Sequence, residues 1–436
     1  MPAEEAGQVR QDMDAGWDAF AAALDRLAAQ EPAAAQAVRA CAFLAAGPVP
    51  AEWFTNAARQ LAEPLRGVAA DPVTWEQSLT LISGQDLARV DPQGLLPHRL
   101  TQAVIRSRLS PAEAAAAHGE AAALLTASHP GHQSLPASWP GWARLLPHLL
   151  ALDPEASSPA LSDLTRDAVW YMIRRGLARN AHDLARRLYQ SRLAQDGPDA
   201  RRTMRAANTL AIVLARLGRP AEARALNEDT LGRRRRVLGA DHPDALTSAS
   251  NLAGDLRALG EFQAALELIK DIHTRHRRVL GEDHPTTLTA ASNLAIVMHS
   301  AGEYEAARAL DEDTLARRRR VLGADHPGAL TSASDLAVCL RALGEYEAAR
   351  ALDEDVLARR QRVLGEDHPD TLTSASNLAL DLRRLGEYGA ARELDEDVLG
   401  RRRRVLGEDH PGTFRSARNL AADLRGLGKS RSGPAT

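Results

Sequence analysis

Five histidines stand in one tripeptide, Asp-His-Pro, which begins at Asp241, Asp283, Asp325, Asp367 and Asp409 with 42 residues between copies. Aspartate beside histidine is donor chemistry for a metal or for acid–base work. The spacing argues against a shared ion: helical units stacked about 10 Å apart cannot bring two such histidines to one metal bound at about 2.1 Å. A loop and helix-cap role is expected instead. Cys41 and Cys339 lie far apart without neighbours at ligand spacing, so neither a disulfide framework nor a zinc site follows, and both read as buried small hydrophobes. Gly428-Lys429-Ser430 resembles the end of a phosphate loop, but Asp423 holds the place of its first glycine. With no nucleophile, base and orienter set, no catalytic residue, cofactor or metal is expected, and the chain reads as a non-enzyme.

A second pattern suits recognition. Asparagine is a poor choice inside a helix, costing about 0.6 kcal/mol against alanine, yet it recurs at Asn251, Asn293, Asn377 and Asn419, with Asp335 at the same step. Side-chain amides offer both donors and acceptors to the main chain of an extended peptide. Thr247 and Ser250 share the stripe. A parallel row, Arg257, His299, Arg341, Arg383 and Arg425, would favour an acidic or carboxylate-bearing segment. Asp335 and His299 interrupt the two rows, so contact along them is expected to be uneven.

The elements that must position these residues repeat with them. Glycines recur at Gly218, Gly260, Gly302, Gly344, Gly386 and Gly428, again at 42-residue steps. Between the marks each unit reads as two helices. Pro327 to Leu343 carries Leu330, Ala333, Leu336, Ala337, Leu340 and Leu343 at steps of three and four, one apolar stripe bounded by an initial proline and a terminal glycine. Tyr304 to Val321 carries Ala307, Leu310, Thr314 and Leu315 toward the first helix. Its basic run, Arg317 to Arg320, reads as a solvated face at the negative end of the helix dipole, with Asp313–Arg317 and Arg308–Glu312 spaced to pair.

The chain has 436 residues, 44% of them apolar, enough for two or three domains. Its 54 basic and 57 acidic residues leave a net charge of -3, which gives no general attraction to nucleic acid or to an anionic membrane. Lys270 and Lys429 are the only lysines, so arginine richness reflects a compositional bias. Met1 to Asp14 lacks an apolar segment and no run of about 18 apolar residues occurs, so a cytoplasmic location is expected. Weaker matches (Gly176, Ala181, Leu184) extend the repeats toward the N-terminus. The expected domains are a leading helix at 1–30, a small domain at 31–128, a Pro-rich connector at 129–158, a solenoid at 159–428 and a disordered tail at 429–436. Within the solenoid, 159–200 is a degenerate unit, 201–410 holds five units and 411–428 supplies a final helix.

These units, with Asn-Leu-Ala in the first helix, Gly-Glu-Tyr-Glu-Ala-Ala at the turn and Arg-Val-Leu-Gly-x-Asp-His-Pro before the next copy, resemble tetratricopeptide repeats (TPRs) of the kinesin-light-chain kind. The resemblance implies an all-α, right-handed superhelical solenoid that binds a protein or peptide in its groove, with the asparagine row clamping the ligand backbone. All six tryptophans fall between Trp17 and Trp170, so a different core precedes the repeats. Helices are expected over about Asp14 to Ala29, Pro32 to Ala45, Pro50 to Leu61, Pro72 to Ile82 and Thr101 to Leu109. A short hairpin turns at Asp91-Pro92-Gln93-Gly94, and Ser110-Pro111-Ala112-Glu113 is a capping box. This order resembles the winged-helix region of NB-ARC (STAND) signal-transduction NTPases, whose nucleotide-binding core is missing here. The resemblance implies a sensor or adaptor in bacterial signalling, or else a truncated or split STAND-type regulator whose N-terminal domain engages DNA or a nucleotide-binding partner. Pro72 to Ile82 contains no Arg or Lys, which argues against DNA.

Overall fold

The computed structural model describes residues 19–133, 135–152 and 158–431. The chain divides into two compact units, Met1–Arg174 with Asn180–Gln195, and Arg175–Arg179 with Asp196–Thr436. Among the described residues the fold is all-α apart from one hairpin.

In the first unit the helices are α1 (19–30), α2 (Pro32–Cys41), α3 (Ala51–Ala57), α4 (Leu65–Ala70), α5 (Pro72–Gly84), α6 (Arg99–Arg108), α7 (Pro111–Ala127), α8 (Trp139–Ala151), α9 (Pro159–Arg174) and α10 (Ala178–Asp196). Strands β1 (Ala88–Asp91) and β2 (Gly94–Pro97) pair antiparallel between α5 and α6, with Asp91 opposite Gly94 across the expected turn. Gly94 cannot be replaced without a shift: its φ is +127°, and an added Cβ would lie 2.1 Å from the Val49 carbonyl oxygen. The capping box is present, with the Glu113 N–H donating to Ser110 Oγ at 3.3 Å and the Ser110 N–H to Glu113 Oε2 at 2.9 Å. Leu27, Phe54, Ile82, Leu95, Ile105 and Leu124 fill the core.

Several boundaries differ from expectation. The helix expected from Asp14 is seen from 19 onward, residues 14–18 lying outside the described residues. The second helix ends at Cys41 and not Ala45, and the third gives way after Ala57 to a 3-10 turn at Ala58–Gln60. The stretch read as a Pro-rich connector contains α8, whose Pro140 sits in the first turn, where a proline displaces no helical hydrogen bond.

The second unit is a stack of helix pairs. First helices α11 (Arg201–Arg216), α13 (Pro243–Ala258), α15 (Pro285–Ser300), α17 (Pro327–Ala342) and α19 (Pro369–Arg384) alternate with second helices α12 (Pro220–Leu238), α14 (Phe262–Leu280), α16 (Tyr304–Leu322), α18 (Tyr346–Leu364) and α20 (Tyr388–Leu406). The last helix, α21, runs from Pro411 to Arg431, so Lys429 to Arg431 are helical where a tail was expected; 432–436 lie outside the described residues.

Each repeat mark has a local cause. His326 Nδ1 accepts the Gly328 N–H at 3.0 Å, capping α17, and His242, His284, His368 and His410 do the same two residues ahead. Pro327 then occupies the first helical position. Gly302, at φ +84°, ends α15 while the Glu303 N–H returns to the Met298 carbonyl at 2.9 Å. Leu330, Ala333, Leu336, Ala337 and Leu340 are buried against Leu315 and Val356 of the flanking second helices. Each such leucine contributes about 1.5–3 kcal/mol. Leu343 and Leu310 are only half-buried.

The basic run is not uniformly solvated. Arg317 and Arg320 face Asp283 of the preceding Asp-His-Pro at 3.1 and 2.7 Å, and Arg317 also pairs with Asp313 at 2.8 Å. Arg318 instead turns inward, donating to Ser332 Oγ at 2.7 Å and the Gly328 carbonyl at 3.1 Å, which fastens α16 to α17. Arg234, Arg360 and Arg402 repeat this clamp, and buried His276 occupies its place in α14. The solvated reading therefore fails at one arginine in the runs of α12, α16, α18 and α20. The helical phase that carries Leu315 inward carries Arg318 with it, three residues on.

Candidate ligand-binding site

A cavity of about 500 Å³ opens in the second unit beside α11, α13 and α15. Ser250, Asn251, Arg257 and Asn293, all expected ligand contacts, line it. The periodicity accounts for this, because the leucine and alanine stripe of each first helix is committed to its second helix and the adjacent stripe is left facing outward. Asn251 Nδ2 donates to Asn208 Oδ1 of α11 at 2.7 Å, so an amide of the preceding helix adjoins the row one position off its step, where buried Thr209 stands. Thr247 is exposed, its hydroxyl donating to the Pro243 carbonyl at 2.9 Å. Asp335, Asn377 and Asn419 are half-buried at the same step on α17, α19 and α21. Burial raises the Asp335 carboxyl to about 6, against the opposing pull of Arg318 and Arg360.

The second row divides into unlike environments. Arg341 donates from Nη1 to Asp353 Oδ2 at 2.6 Å and to Asp381 Oδ1 at 3.0 Å. Arg383 donates to Asp395 Oδ2 at 2.9 Å and to Asp423. All four carboxylates are buried. Burial raises both Asp353 and Asp381 in spite of the arginine between them. Arg341 and Arg383 thus bind the solenoid to itself. Arg425 is exposed on the last helix, and His299 packs edge-on against Tyr304 with 5.1 Å between ring centres.

The acids that engage this row escaped the sequence reading. They lie 12 and 40 residues after each member of the row, on the second helix of the same unit and the first helix of the next. The five sets read Ala215–Asn227–Asp255, Arg257–Ile269–Val297, His299–Asp311–Cys339, Arg341–Asp353–Asp381 and Arg383–Asp395–Asp423. In the third set the Cys339 thiol donates to Asp311 Oδ2 at 3.3 Å; burial raises the Asp311 carboxyl to about 7 and the Cys339 thiol to about 12. In the first set Asn227 Nδ2 donates to Asp255 Oδ2 at 2.7 Å. Three of the sets depart from Arg–Asp–Asp, which is why the pattern was hard to see.

Among the described residues no group of three His, Cys, Asp or Glu side chains could hold a metal ion. Among the described residues no helix is long and apolar enough to cross a membrane.

Comparison with known proteins places these features in a family. The tetratricopeptide repeat model matches residues 202–275, 246–320, 301–362, 329–404 and 370–432, together more than half of the chain. No curated protein matches. Among solved structures, a Podosopora anserina protein assigned as a kinesin light chain of nearly identical TPR-like repeats is 29% identical, over 46% of this chain and 95% of its own, with a TM-score of 0.40. A Rap protein complexed with Competence and Sporulation Factor is 10% identical over 87% of this chain and 99% of its own, with a TM-score of 0.47. A STAND protein with a tetratricopeptide repeat sensor from Pyrococcus horikoshii is 12% identical over 91% of this chain and 62% of its own, with a TM-score of 0.44.

Proposed function

The chain belongs to the tetratricopeptide repeat family, and on that premise we propose that it is a sensor or adaptor that captures an extended peptide segment of a protein partner along its first helices. The observation that carries this reading is the cavity lined by Ser250, Asn251, Arg257 and Asn293. Amides placed there exchange hydrogen bonds with a peptide main chain, which would otherwise lose its partners on leaving water. Asn377 and Asn419 extend the row toward the C-terminus. Of the cations in the second row, Arg341 and Arg383 are held by internal acids, so attraction for a ligand carboxylate rests on Arg257 in the cavity and on the exposed Arg425.

The test is affinity capture with the full chain, followed by titration of the captured partner against the Asn251→Ala, Asn293→Ala, Asn377→Ala triple variant. Partner affinity should fall at least a hundredfold while the helical circular dichroism stays unchanged. Equal affinity of the two proteins would remove the groove from consideration.

A second reading rests on the hairpin that follows α5 and leads into α6. That order of elements supports a winged-helix-like first unit, and with it a split STAND-type regulator. Its test is binding of the intact chain to nucleotide and to duplex DNA, either of which would favour it.

A further inference from the structure

The five residue sets of the second row share positions but not chemistry, and the first of them has a vacancy. In the last two sets an arginine lies between two buried carboxylates, 2.6 to 3.0 Å from those of the fourth set. In the first set the acceptors persist as Asn227 and Asp255, both buried, but the arginine position is occupied by Ala215, which has no reach. The space that a guanidinium fills in the later sets is here part of the cavity of about 500 Å³ lined by Ala215, Asn227 and Asp255. Asn227 Oδ1, in a side chain only 1% exposed, has no hydrogen-bond partner. A buried acceptor left unpaired is unfavourable, and a donor from outside would supply the missing hydrogen bond.

We propose that this cavity is a guanidinium subsite, which takes an arginine side chain of the peptide ligand into the position that Arg341 and Arg383 hold in the chain's own later copies. The guanidinium donates to Asn227 Oδ1 and to the Asp255 carboxylate. Two cations share the lining, Arg216 at the exposed rim and Arg257 one set further on, over Ile269 and Val297 in place of acids. Arg257 therefore lacks the internal partners of Arg341. A carboxylate adjoining the arginine in the ligand pairs with Arg257 and offsets the repulsion. The preferred segment is thus dipolar, an arginine next to an acidic residue.

This inference rests on the groove reading but can fail without it. The probes are two dipeptides blocked at both ends, arginyl-glutamate and citrullyl-glutamate, which differ by one charge at nearly equal shape. Titrated into the isotopically labelled full chain and followed by NMR, the arginine form should bind at least tenfold tighter. Asp255→Asn should erase that preference. Ala215→Arg supplies the missing group from the chain itself, so it should raise the thermal midpoint and abolish dipeptide binding. Equal binding of the two dipeptides, binding of neither, or a preference that survives Asp255→Asn would overturn the subsite. A lowered thermal midpoint in Ala215→Arg would overturn it as well. Loss of the arginine preference together with intact, asparagine-dependent partner binding would discard only the subsite, whereas partner binding that ignores the asparagines would discard the groove.

Discussion

Arg341 on α17 reaches Asp381 on α19 at 3.0 Å while the same nitrogen holds Asp353 on α18 at 2.6 Å, so one side chain ties three successive helices together. Its exposure is about a tenth, and neither acid is exposed at all. Breaking such a cluster differs from replacing it: removing the cation leaves two buried carboxyls without a counter-charge or their donor, whereas apolar side chains of similar size avoid the desolvation cost altogether. We expect Arg341→Met to lower stability in urea by about 3–5 kcal/mol, and the combined Arg341→Met, Asp353→Leu, Asp381→Leu chain to recover most of it. A single variant as stable as the parent would show that the cluster does not hold these units together.

Adjacent arginines of one basic run should differ sharply. Arg318 satisfies Ser332 and the Gly328 carbonyl in a buried position, and Arg318→Ala strips both acceptors of their donor at a cost of about 1–3 kcal/mol. Arg317 pairs with Asp313 and Asp283 in water, where such contacts are worth about 0–1 kcal/mol. Equilibrium unfolding of the two alanine variants should order them accordingly, and an equal loss would refute the inward assignment of Arg318.

That contrast also marks what could be read from the sequence. Helix pairs, their proline starts and glycine stops, the hairpin at Asp91 to Gly94 and the capping box at Ser110 are set by residues within a few positions of one another, and all were legible. Arg317 and Arg318 are the same residue type in the same run. Only the rotation of α16 against α17 separates them, and that rotation is a property of the packed unit. Asp353 likewise sits among acidic neighbours, and its partner lies 12 residues earlier. Helix α4, Leu65–Ala70, is too short to show a period, and α8 was obscured by its prolines. The recurring asparagines stand out in the sequence as one residue type at a fixed step; the acids that neutralise Arg341 and Arg383 do not.

Stability should fall as pH rises from acid to neutral, and Asp311 should account for part of the fall. Burial lifts its carboxyl to about 7, Asp335 pushes in the same direction, and the Cys339 thiol and Arg318 oppose them. Between the ordinary aspartate value and about 7 the folded chain keeps a proton that the unfolded chain has shed. The stabilising contribution is therefore complete below about pH 4 and lost as pH passes through 7. Asp311→Asn retains an oxygen to accept from Cys339 but cannot ionise. Thermal midpoints measured from pH 5 to 8 should drop several degrees less in the variant than in the parent, and parallel curves would contradict the assignment.

Asp335 is the acidic member of a row otherwise made of asparagine, and the same reasoning gives its replacement a definite sign. Half-buried and raised to about 6 chiefly by burial, the carboxyl is neutral when the chain is folded at pH 5 and charged at pH 8. Asp335→Asn should thus leave stability little changed below about pH 4, raise it progressively between about pH 4 and 6, and show its full gain at pH 8. It would also make the amide row continuous from Asn293 on α15 to Asn377 on α19. If the row clamps a peptide main chain, a neutral donor and acceptor at 335 should tighten partner binding severalfold at pH 8, read by fluorescence anisotropy, with little change at pH 5. A stability gain without a gain in affinity would confine this position to a structural role and shorten the binding row to α13 and α15.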